Sequence, residues 1–460
     1  MHKYDYYDTI AAISTPVGEG GIGIVRISGG SALEIADRIF FSKDKVRPSD
    51  FKTYTTHYGF IKNDGKVVDE VILTLMRKPR SYTKEDVVEI NCHGGIVALR
   101  DVLELVLANG ARIAEPGEFT RRAFLNGRID LAQAEAVLDI IRAKTDSALN
   151  IGQEQLKGGL SDSVKKMREV LLAALSLLEA NIDFPEEEIG AVGLEGIRLR
   201  LMDVDAQLIR MLRDSKRGRI FREGIHAVIC GSPNVGKSSL LNALLKQERS
   251  IVTSVPGTTR DTIEEIIDIK GIPVRIVDTA GILEPRDLIE KKAIERSKAH
   301  IKQADIAIIV FDGSKRFSSQ DLLIIRKLKA KQAIAVINKI DLKQKLDRAK
   351  IIKAFVHVIE ISAKKAKNIG LLEDKIASLV YKGKVSGNES AMAANLRHIS
   401  CLKSAQKLIA QSISSLDNKL SLEFISQDIK DALEEFDVLV GEIFSEDLLD
   451  KIFSDFCIGK

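Results

Sequence analysis

Gly231-Ser232-Pro233-Asn234-Val235-Gly236-Lys237-Ser238 is the stretch that decides how this 460-residue chain folds. It follows the apolar run Ile225 to Cys230 and precedes a helical pattern starting at Ser239, giving strand, glycine-rich turn and helix in that order. Such a turn lets consecutive backbone N–H groups face a phosphate chain at a helix N-terminus. Lys237 can then reach the β and γ phosphates, and the Ser238 hydroxyl can ligate Mg²⁺. A chance glycine-rich turn is the bland alternative, and the strand-loop-helix context leaves it little room.

Three further motifs extend this reading. Asp278-Thr279-Ala280-Gly281 follows the apolar run Val274 to Val277, so its Asp falls at a strand end where a carboxylate can hold the Mg²⁺ shell. Asn338-Lys339-Ile340-Asp341 follows Ala333 to Ile337, and its Asp is placed to accept two N–H donors from a guanine edge, a pairing adenine cannot offer. The nucleotide is therefore expected to be GTP. Ser362-Ala363-Lys364, after Val356 to Ile361, completes a base-binding loop. Each motif sits at the C-terminal end of a predicted strand, where open α/β sheets bind ligands. The spacing predicts a GTPase unit over 222–382, although fold membership alone would not name its task.

At 460 residues and 50.7 kDa the chain exceeds one ordinary core, so two to four domains are expected. Sixty-nine basic against 65 acidic residues leave a net charge of only +4, which permits a nucleic-acid surface without requiring one. Cys92, Cys230, Cys401 and Cys457 have no CxxC spacing, so reduced thiols are expected rather than disulfides or zinc. No charged segment followed by an apolar stretch opens the chain, and no run approaches the roughly 18 apolar residues of a membrane span. A soluble, cytoplasmic protein is the expectation.

Residues 1–120 read as a mixed α/β unit, with strand-like runs Ile22 to Ile27, Val71 to Met76 and Val87 to Ile90 and helical spacing over Ser31 to Phe40 and Gly95 to Ala108. Gly18 to Gly29 and Glu89 to Gly95 are glycine-dense, which suits either tight turns or a binding site. Over 121–221 the pattern turns to long helices. Leu160, Val164, Met167, Leu171, Leu175 and Leu178 make one apolar stripe that core packing explains. Leu194 to Leu212 is similar, Pro185 is expected to stop the first helix, and Lys216-Arg217-Gly218-Arg219 reads as a boundary. Lys382 to Ser390 reads as a linker, and helices return over 383–460: Leu396 to Ser414, Leu420 to Val440 and Ser445 to Phe456. Helical material on both sides of a nucleotide unit suggests that this unit is inserted into one helical domain.

Several stretches are specific to one family. Asp8 to Ala12 with Gly18 to Gly29, the Glu89 to Gly95 block, Pro116-Gly117-Glu118-Phe119-Thr120-Arg121-Arg122-Ala123-Phe124-Leu125-Asn126-Gly127-Arg128, and the tail from Glu446-Asp447-Leu448-Leu449-Asp450 to Cys457-Ile458-Gly459-Lys460 closely resemble the bacterial MnmE (TrmE) tRNA-modification GTPases. The resemblance spans the whole chain. It implies a multidomain α/β plus all-α protein: an N-terminal α/β domain that binds folate and dimerises, a discontinuous helical domain, and an inserted Ras-like P-loop GTPase domain. It also implies a flavoprotein partner, MnmG (GidA), with which the homodimer places an aminomethyl or carboxymethylaminomethyl group on C5 of the wobble uridine of certain tRNAs. A reduced folate, 5,10-methylene- or 5-formyl-tetrahydrofolate, would supply the one-carbon unit. The family's folate site maps to Arg26, Glu89, Arg128 and Lys460. A carboxylate such as Glu89 can accept from a pterin N–H edge, while basic groups meet the ligand's carboxylates. If Lys460 belongs there, the C-terminal tail must fold against the N-terminal domain.

The same resemblance fills in the GTP site. Its nucleotide contacts would be Asn234, Val235, Gly236, Lys237, Ser238 and Ser239; Thr253, Ser254, Val255, Pro256, Gly257, Thr258 and Thr259; Asp278, Thr279, Ala280 and Gly281; Asn338, Lys339 and Asp341; and Ser362, Ala363 and Lys364. Many GTPases place a Gln after the Asp-x-x-Gly motif to orient water, but Ile282 stands there and cannot hydrogen-bond. By resemblance a K⁺ ion, held by Asn234 with backbone oxygens near Thr253, Val255 and Thr258, acts as fixed cation and drives pairing of the GTPase domains. Mg²⁺ would take Ser238 and Thr259, and Glu290 would orient the water. Leu283 and Lys292-Ala293 depart from the usual family residues.

Cys457 could act as a thiolate nucleophile toward a uridine carbon, favoured by cationic neighbours such as Lys460. A CaaX box is formally present, but Lys460 does not suit its last position. The competing function is a switch GTPase of ribosome assembly or RNA binding with no base-modifying role, which would not need the folate constellation or the Cys-Ile-Gly-Lys tail.

Overall fold

The computed structural model describes residues 8–183, 191–247, 265–278, 304–328, 332–381 and 395–460. In chain order they form β1 (Ile10–Ile13), β2 (Ile22–Ser28), α1 (Ala32–Ile39), β3 (Phe40–Ser42), β4 (Thr55–Asn63), β5 (Lys66–Met76), β6 (Val87–His93), α2 (Ile96–Ala108), β7 (Arg112–Ile113), α3 (Glu118–Leu125), α4 (Leu131–Arg142), α5 (Asp146–Leu156), α6 (Gly159–Asp183) and α7 (Ala191–Glu223). Then come β8 (Ile225–Cys230), α8 (Lys237–Gln247), β9 (Glu265–Ile269), β10 (Ile272–Asp278), β11 (Ile306–Asp312), α9 (Ser319–Leu328), β12 (Ala333–Asn338), α10 (Arg348–Ala354), β13 (His357–Glu360) and α11 (Ile369–Val380). The chain closes with α12 (Leu396–Asp417), α13 (Leu422–Val440) and α14 (Glu446–Phe453). Two compact units result, one of residues 1–138, 156–198 and 411–460, the other of 139–155 and 199–410.

The first unit holds a seven-stranded sheet in the order β3-β4-β5-β6-β2-β1-β7, antiparallel except for the β1–β7 pair. Alternation explains it: along β5, Val71, Leu73 and Leu75 are buried while Glu70 and Ile72 are exposed, the pattern of a sheet covered on one face. The covered face packs Val25, Ile27, Leu73 and Ile90 with Ile35 of α1 and Leu99 and Val102 of α2. Gly23 and Gly94 are needed for close approach, since a Cβ would lie 2.5 Å from Leu99 Cδ1 and 2.3 Å from the Gly20 carbonyl oxygen respectively. The stripe from Leu160 to Leu178 is buried along α6 as its spacing predicts. Polar ties to α13 run beside it, Arg168 Nε donating to Asp437 Oδ1 at 2.8 Å and Lys430 Nζ lying 2.8 Å from Glu179 Oε1.

The second unit is built on a six-stranded sheet, β13-β12-β11-β8-β10-β9, parallel but for β9. Every residue of β11 and β12 is buried, as expected where helices cover both faces of a parallel sheet. Ile229, Val310 and Val336 face one core, and Val228, Ile309 and Ala335 the other. Lys216 to Arg219, the stretch leading toward β8, lies within the 33 residues of α7. Arg and Lys are good helix formers, and a single interior glycine costs only about 1 kcal/mol.

Candidate functional site

In the second unit, β8 delivers the chain into the glycine-rich loop and α8 starts at Lys237, the strand-loop-helix order that the sequence predicts. Asn234 has φ +63° and Gly236 φ +99°, so the loop turns through the left-handed region twice. Lys237 Nζ donates back to the carbonyls of Gly231 at 3.0 Å and Ser232 at 3.1 Å.

The base-side motifs converge on this loop through Asn338, which is 2% exposed at the end of β12. Its Nδ2 donates to the Val235 carbonyl at 2.9 Å, and its Oδ1 accepts from the amides of Lys339 at 2.8 Å and Ala363 at 3.0 Å. One side chain thus joins three of the four motifs. Gly236 must lack a Cβ for this, because one would stand 2.3 Å from Asn338 Nδ2. Lys339 bridges the Asn234 carbonyl at 2.8 Å and Asp312 Oδ2 at 2.7 Å. Burial would raise the Asp312 carboxyl pKa, but the hydrogen bonds from Lys339 and Ser314 outweigh it and hold the group below its ordinary value. Asp341 accepts from Ser362 Oγ at 2.6 Å, and that bond lowers its pKa and favours the anion. Lys364 is exposed nearby and lowers it further.

Ser238 and Ser239 lie in the first turn of α8, and Asp278 ends β10 opposite Ile229. Thr253, Ser254, Val255, Pro256, Gly257, Thr258, Thr259, Thr279, Ala280, Gly281 and Glu290 fall outside the described residues. Asp312, the partner of Lys339, is a residue that sequence reasoning misses; its only signal is an acidic residue closing an all-apolar strand.

A second centre lies in the first unit. Arg26 and Glu89 are direct neighbours across β2 and β6, and Arg26 Nε donates to Glu89 Oε1 at 2.8 Å. Arg26 also donates to the Gly459 carbonyl at 3.2 Å, and Ser14 Oγ donates to the same oxygen at 3.1 Å. The tail therefore packs on the N-terminal sheet, as a Lys460 contribution requires. Gly459, at φ +91°, has no room for a Cβ, which would lie 2.4 Å from the Ile13 carbonyl. Burial lowers the Lys460 ammonium pKa and the like charge of Arg26 adds to this, against the attraction of Glu89 and Cys457. Cys457 is exposed.

Arg128 lies over the Tyr82 ring at 4.7 Å and Arg26 over Phe119 at 5.6 Å. The Tyr82 hydroxyl meets Thr120 Oγ1 at 2.9 Å, and burial raises its pKa against the pull of Thr120, Arg128 and Arg26. The structure thus gathers Arg26, Glu89, Arg128 and Lys460 around Tyr82 and Phe119. Tyr82 is a further member that sequence reasoning misses, because an aromatic flanked by Ser81 and Thr83 in a loop gives little signal. Among the described residues Glu89 Oε2 accepts no hydrogen bond, and no cluster has the make-up of a metal site.

Comparison with known proteins covers both units. Residues 9–128 match the family described as GTP-binding protein TrmE N-terminus, and residues 131–457 match the MnmE helical domain. The chain is 46% identical over 455 residues to the tRNA modification GTPase MnmE of Clostridioides difficile, covering 98% of this chain and 99% of that one. It is 47% identical over 457 residues to the protein of that name from Alkaliphilus oremlandii, with the same coverage. Among solved structures it is similar to a variant of Aquifex aeolicus Era bound to GDP.AlF4−, at 28% identity and TM-score 0.28 over 40% of this chain and 66% of that one.

Proposed function

This chain belongs to the MnmE family of tRNA-modification GTPases and is a GTP hydrolase, and on that premise we propose that GTP turnover here serves formation of the 5-carboxymethylaminomethyl or 5-aminomethyl group on the wobble uridine of certain tRNAs. The one-carbon unit comes from a reduced folate, and a flavoprotein of the MnmG type works alongside a homodimer of this chain in the cytoplasm. The arrangement divides into an N-terminal domain over 1–120, a helical domain over 121–221 and 383–460, and an inserted GTPase domain over 222–382. No described helix is long and apolar enough to cross a membrane.

The observation that carries the folate reading is the Arg26–Glu89 pair closed over by the Gly459 carbonyl. Glu89 gives Oε1 to Arg26 and keeps Oε2 for a pterin N–H, while Arg128 and Lys460 suit the ligand's carboxylates. Bound folate would supply the carbon; the chain's own residues orient it, with Arg26 backed by the buried Phe119 ring and Arg128 by Tyr82. Cys457, exposed and near Lys460, would act as the thiolate toward a uridine carbon.

In the GTP site, the backbone amides of Val235, Gly236, Lys237 and Ser238 receive phosphate oxygens, and Lys237 stabilises charge that develops on the γ-phosphoryl group. Mg²⁺ would be held by Ser238 and Thr259, and K⁺ by Asn234 with backbone oxygens of Thr253, Val255 and Thr258; both would neutralise phosphate charge. Asn234 fits this task, since its carbonyl is taken by Lys339 while its side chain is exposed. Glu290 would orient the attacking water.

Calorimetric titration with 5-formyltetrahydrofolate tests the folate part. The full-length protein binds it, and removal of Ile458 to Lys460 abolishes binding; unchanged binding after that truncation overturns the assignment.

A further inference from the structure

The base-side motifs hold one flank of the glycine-rich loop, through Asn338 to Val235 and Lys339 to Asn234. The other flank is held from a different direction. Ser232 Oγ donates to Asp321 Oδ1 at 2.7 Å, and both residues are 8% exposed.

Asp321 is the third residue of α9, and Ser318 stands just before that helix. Ser318 Oγ accepts from the Asp321 amide at 3.1 Å, while Asp321 Oδ2 accepts from the Ser318 amide at 2.9 Å and from its hydroxyl at 2.7 Å. This reciprocal pattern is a capping box, which satisfies helix donors that have no partner within the helix. An ordinary capping box uses its acid on the helix alone. Here the second carboxylate oxygen reaches the loop, in a charge-assisted bond stronger than one between neutral groups.

The consequence passes to Lys237. The Ser232 carbonyl accepts from Lys237 Nζ, so the residue whose hydroxyl is fixed by Asp321 also helps fix the ammonium. Asp321, Ser232 and Lys237 form one chain of contacts from the start of α9 to the cation that meets the phosphates.

We propose that Asp321 is a positioning residue of the GTPase site, setting the conformation of the phosphate-binding loop and the place of Lys237 through its bond to Ser232. This rests on the reading of Gly231 to Ser238 as the phosphate cradle. Neither residue touches the nucleotide through these atoms, so the effect lies in how well the loop is organised before nucleotide arrives. Loosening it weakens ground-state binding more than it slows the hydrolytic step.

Two single substitutions separate this role from plain helix capping. Ser232→Ala removes the bridge and leaves the capping box whole; Ser318→Ala removes the cap and leaves the bridge. In the full-length protein with Mg²⁺ and K⁺, the affinities for mant-GDP and mant-GTP, kcat and KM for GTP, and Tm are measured for each. Ser232→Ala is expected to weaken both nucleotides and raise KM by about tenfold, with kcat within roughly threefold of wild type. Ser318→Ala is expected to lower Tm and leave KM within about twofold. Nucleotide affinity unchanged by Ser232→Ala overturns the proposal, and so does an equal loss from Ser318→Ala, which would make the effect one of stability. A wild-type chain that bound neither nucleotide would overturn the phosphate-cradle reading as well.

Discussion

Arg26 and Glu89 stand opposite each other in the β2–β6 register and share a 2.8 Å hydrogen bond, while the same guanidinium holds the carbonyl of Gly459. Strand pairing fixes the pair, and the pair fixes the tail. Glu89→Ala is expected to cost about 1–3 kcal/mol of stability, because it leaves a largely buried guanidinium unmatched. It should also remove folate binding. Glu89→Gln, which keeps the shape, should recover most of the stability but not the affinity. Denaturant titration and calorimetry on both variants read the two effects separately.

Asn338 is the joint of the GTP site, and its replacement by Ala leaves the amides of Lys339 and Ala363 and the Val235 carbonyl without their partner. Stability should fall by about 2–4 kcal/mol, and GTP binding should be lost at concentrations that saturate the wild type. Thermal unfolding and fluorescent-nucleotide titration check both; a variant with unchanged affinity would contradict the joint.

These two centres differ in how much of them the sequence discloses. The GTP motifs are legible because each follows a predominantly apolar run, and β8, β10 and β12 stand within a residue or two of the runs Ile225 to Cys230, Val274 to Val277 and Ala333 to Ile337. Short or alternating strands are not: β1 is only four residues long with two alanines at its centre, and β3, β4 and β7 offer too few consecutive apolar residues to separate from loop. The glycine-dense stretches are ambiguous in sequence, and tight backbone packing accounts for Gly23 and Gly94. Arg122 stands in the sequence as one residue of a family motif, and a lone Arg gives no hint of burial. It is 2% exposed, and Asp8, Glu85 and Glu118, far apart in sequence, converge on it. Asp321 has a readable signal in the Ser-x-x-Asp spacing of a capping box, but nothing in that spacing points to Ser232.

The Arg122 cluster predicts acid sensitivity. Burial would raise the Glu118 and Asp8 carboxyls, but the hydrogen bonds and charges of Arg112 and Arg122 hold both below their ordinary values of 4.5 and 3.8. The unfolded chain therefore binds these protons more readily. Their contribution is complete above pH 4.5 and is lost as pH falls through the lowered folded values. Glu118→Gln should flatten the fall in unfolding free energy between neutral and acid pH, measured by urea titration across that range. An identical slope would place the acid sensitivity elsewhere.

The proposed base recognition rests on Asp341, whose carboxylate accepts from Ser362 and is held below its ordinary pKa by that bond. A carboxylate accepts from two guanine N–H groups, whereas an amide at the same place offers a donor to the xanthine oxygen that replaces the guanine amine. Asp341→Asn should lower GTP affinity by at least about a hundredfold, as loss of one charge-assisted pair and creation of one repulsive contact implies. It should improve XTP binding in the same assay. Equal discrimination by the variant would remove Asp341 from base recognition.

Whether the GTPase unit and the unit holding the Arg26–Glu89 pair serve one modification of tRNA is decided by mass spectrometry of wobble-uridine nucleosides. The tRNA comes from cells lacking this protein, with rescue by the wild-type gene and by the Glu89→Gln variant. The expected result is loss of the C5 aminomethyl-type group, restoration by the wild type and no restoration by Glu89→Gln. Unchanged nucleosides in the absence of the protein would refute a role in that modification.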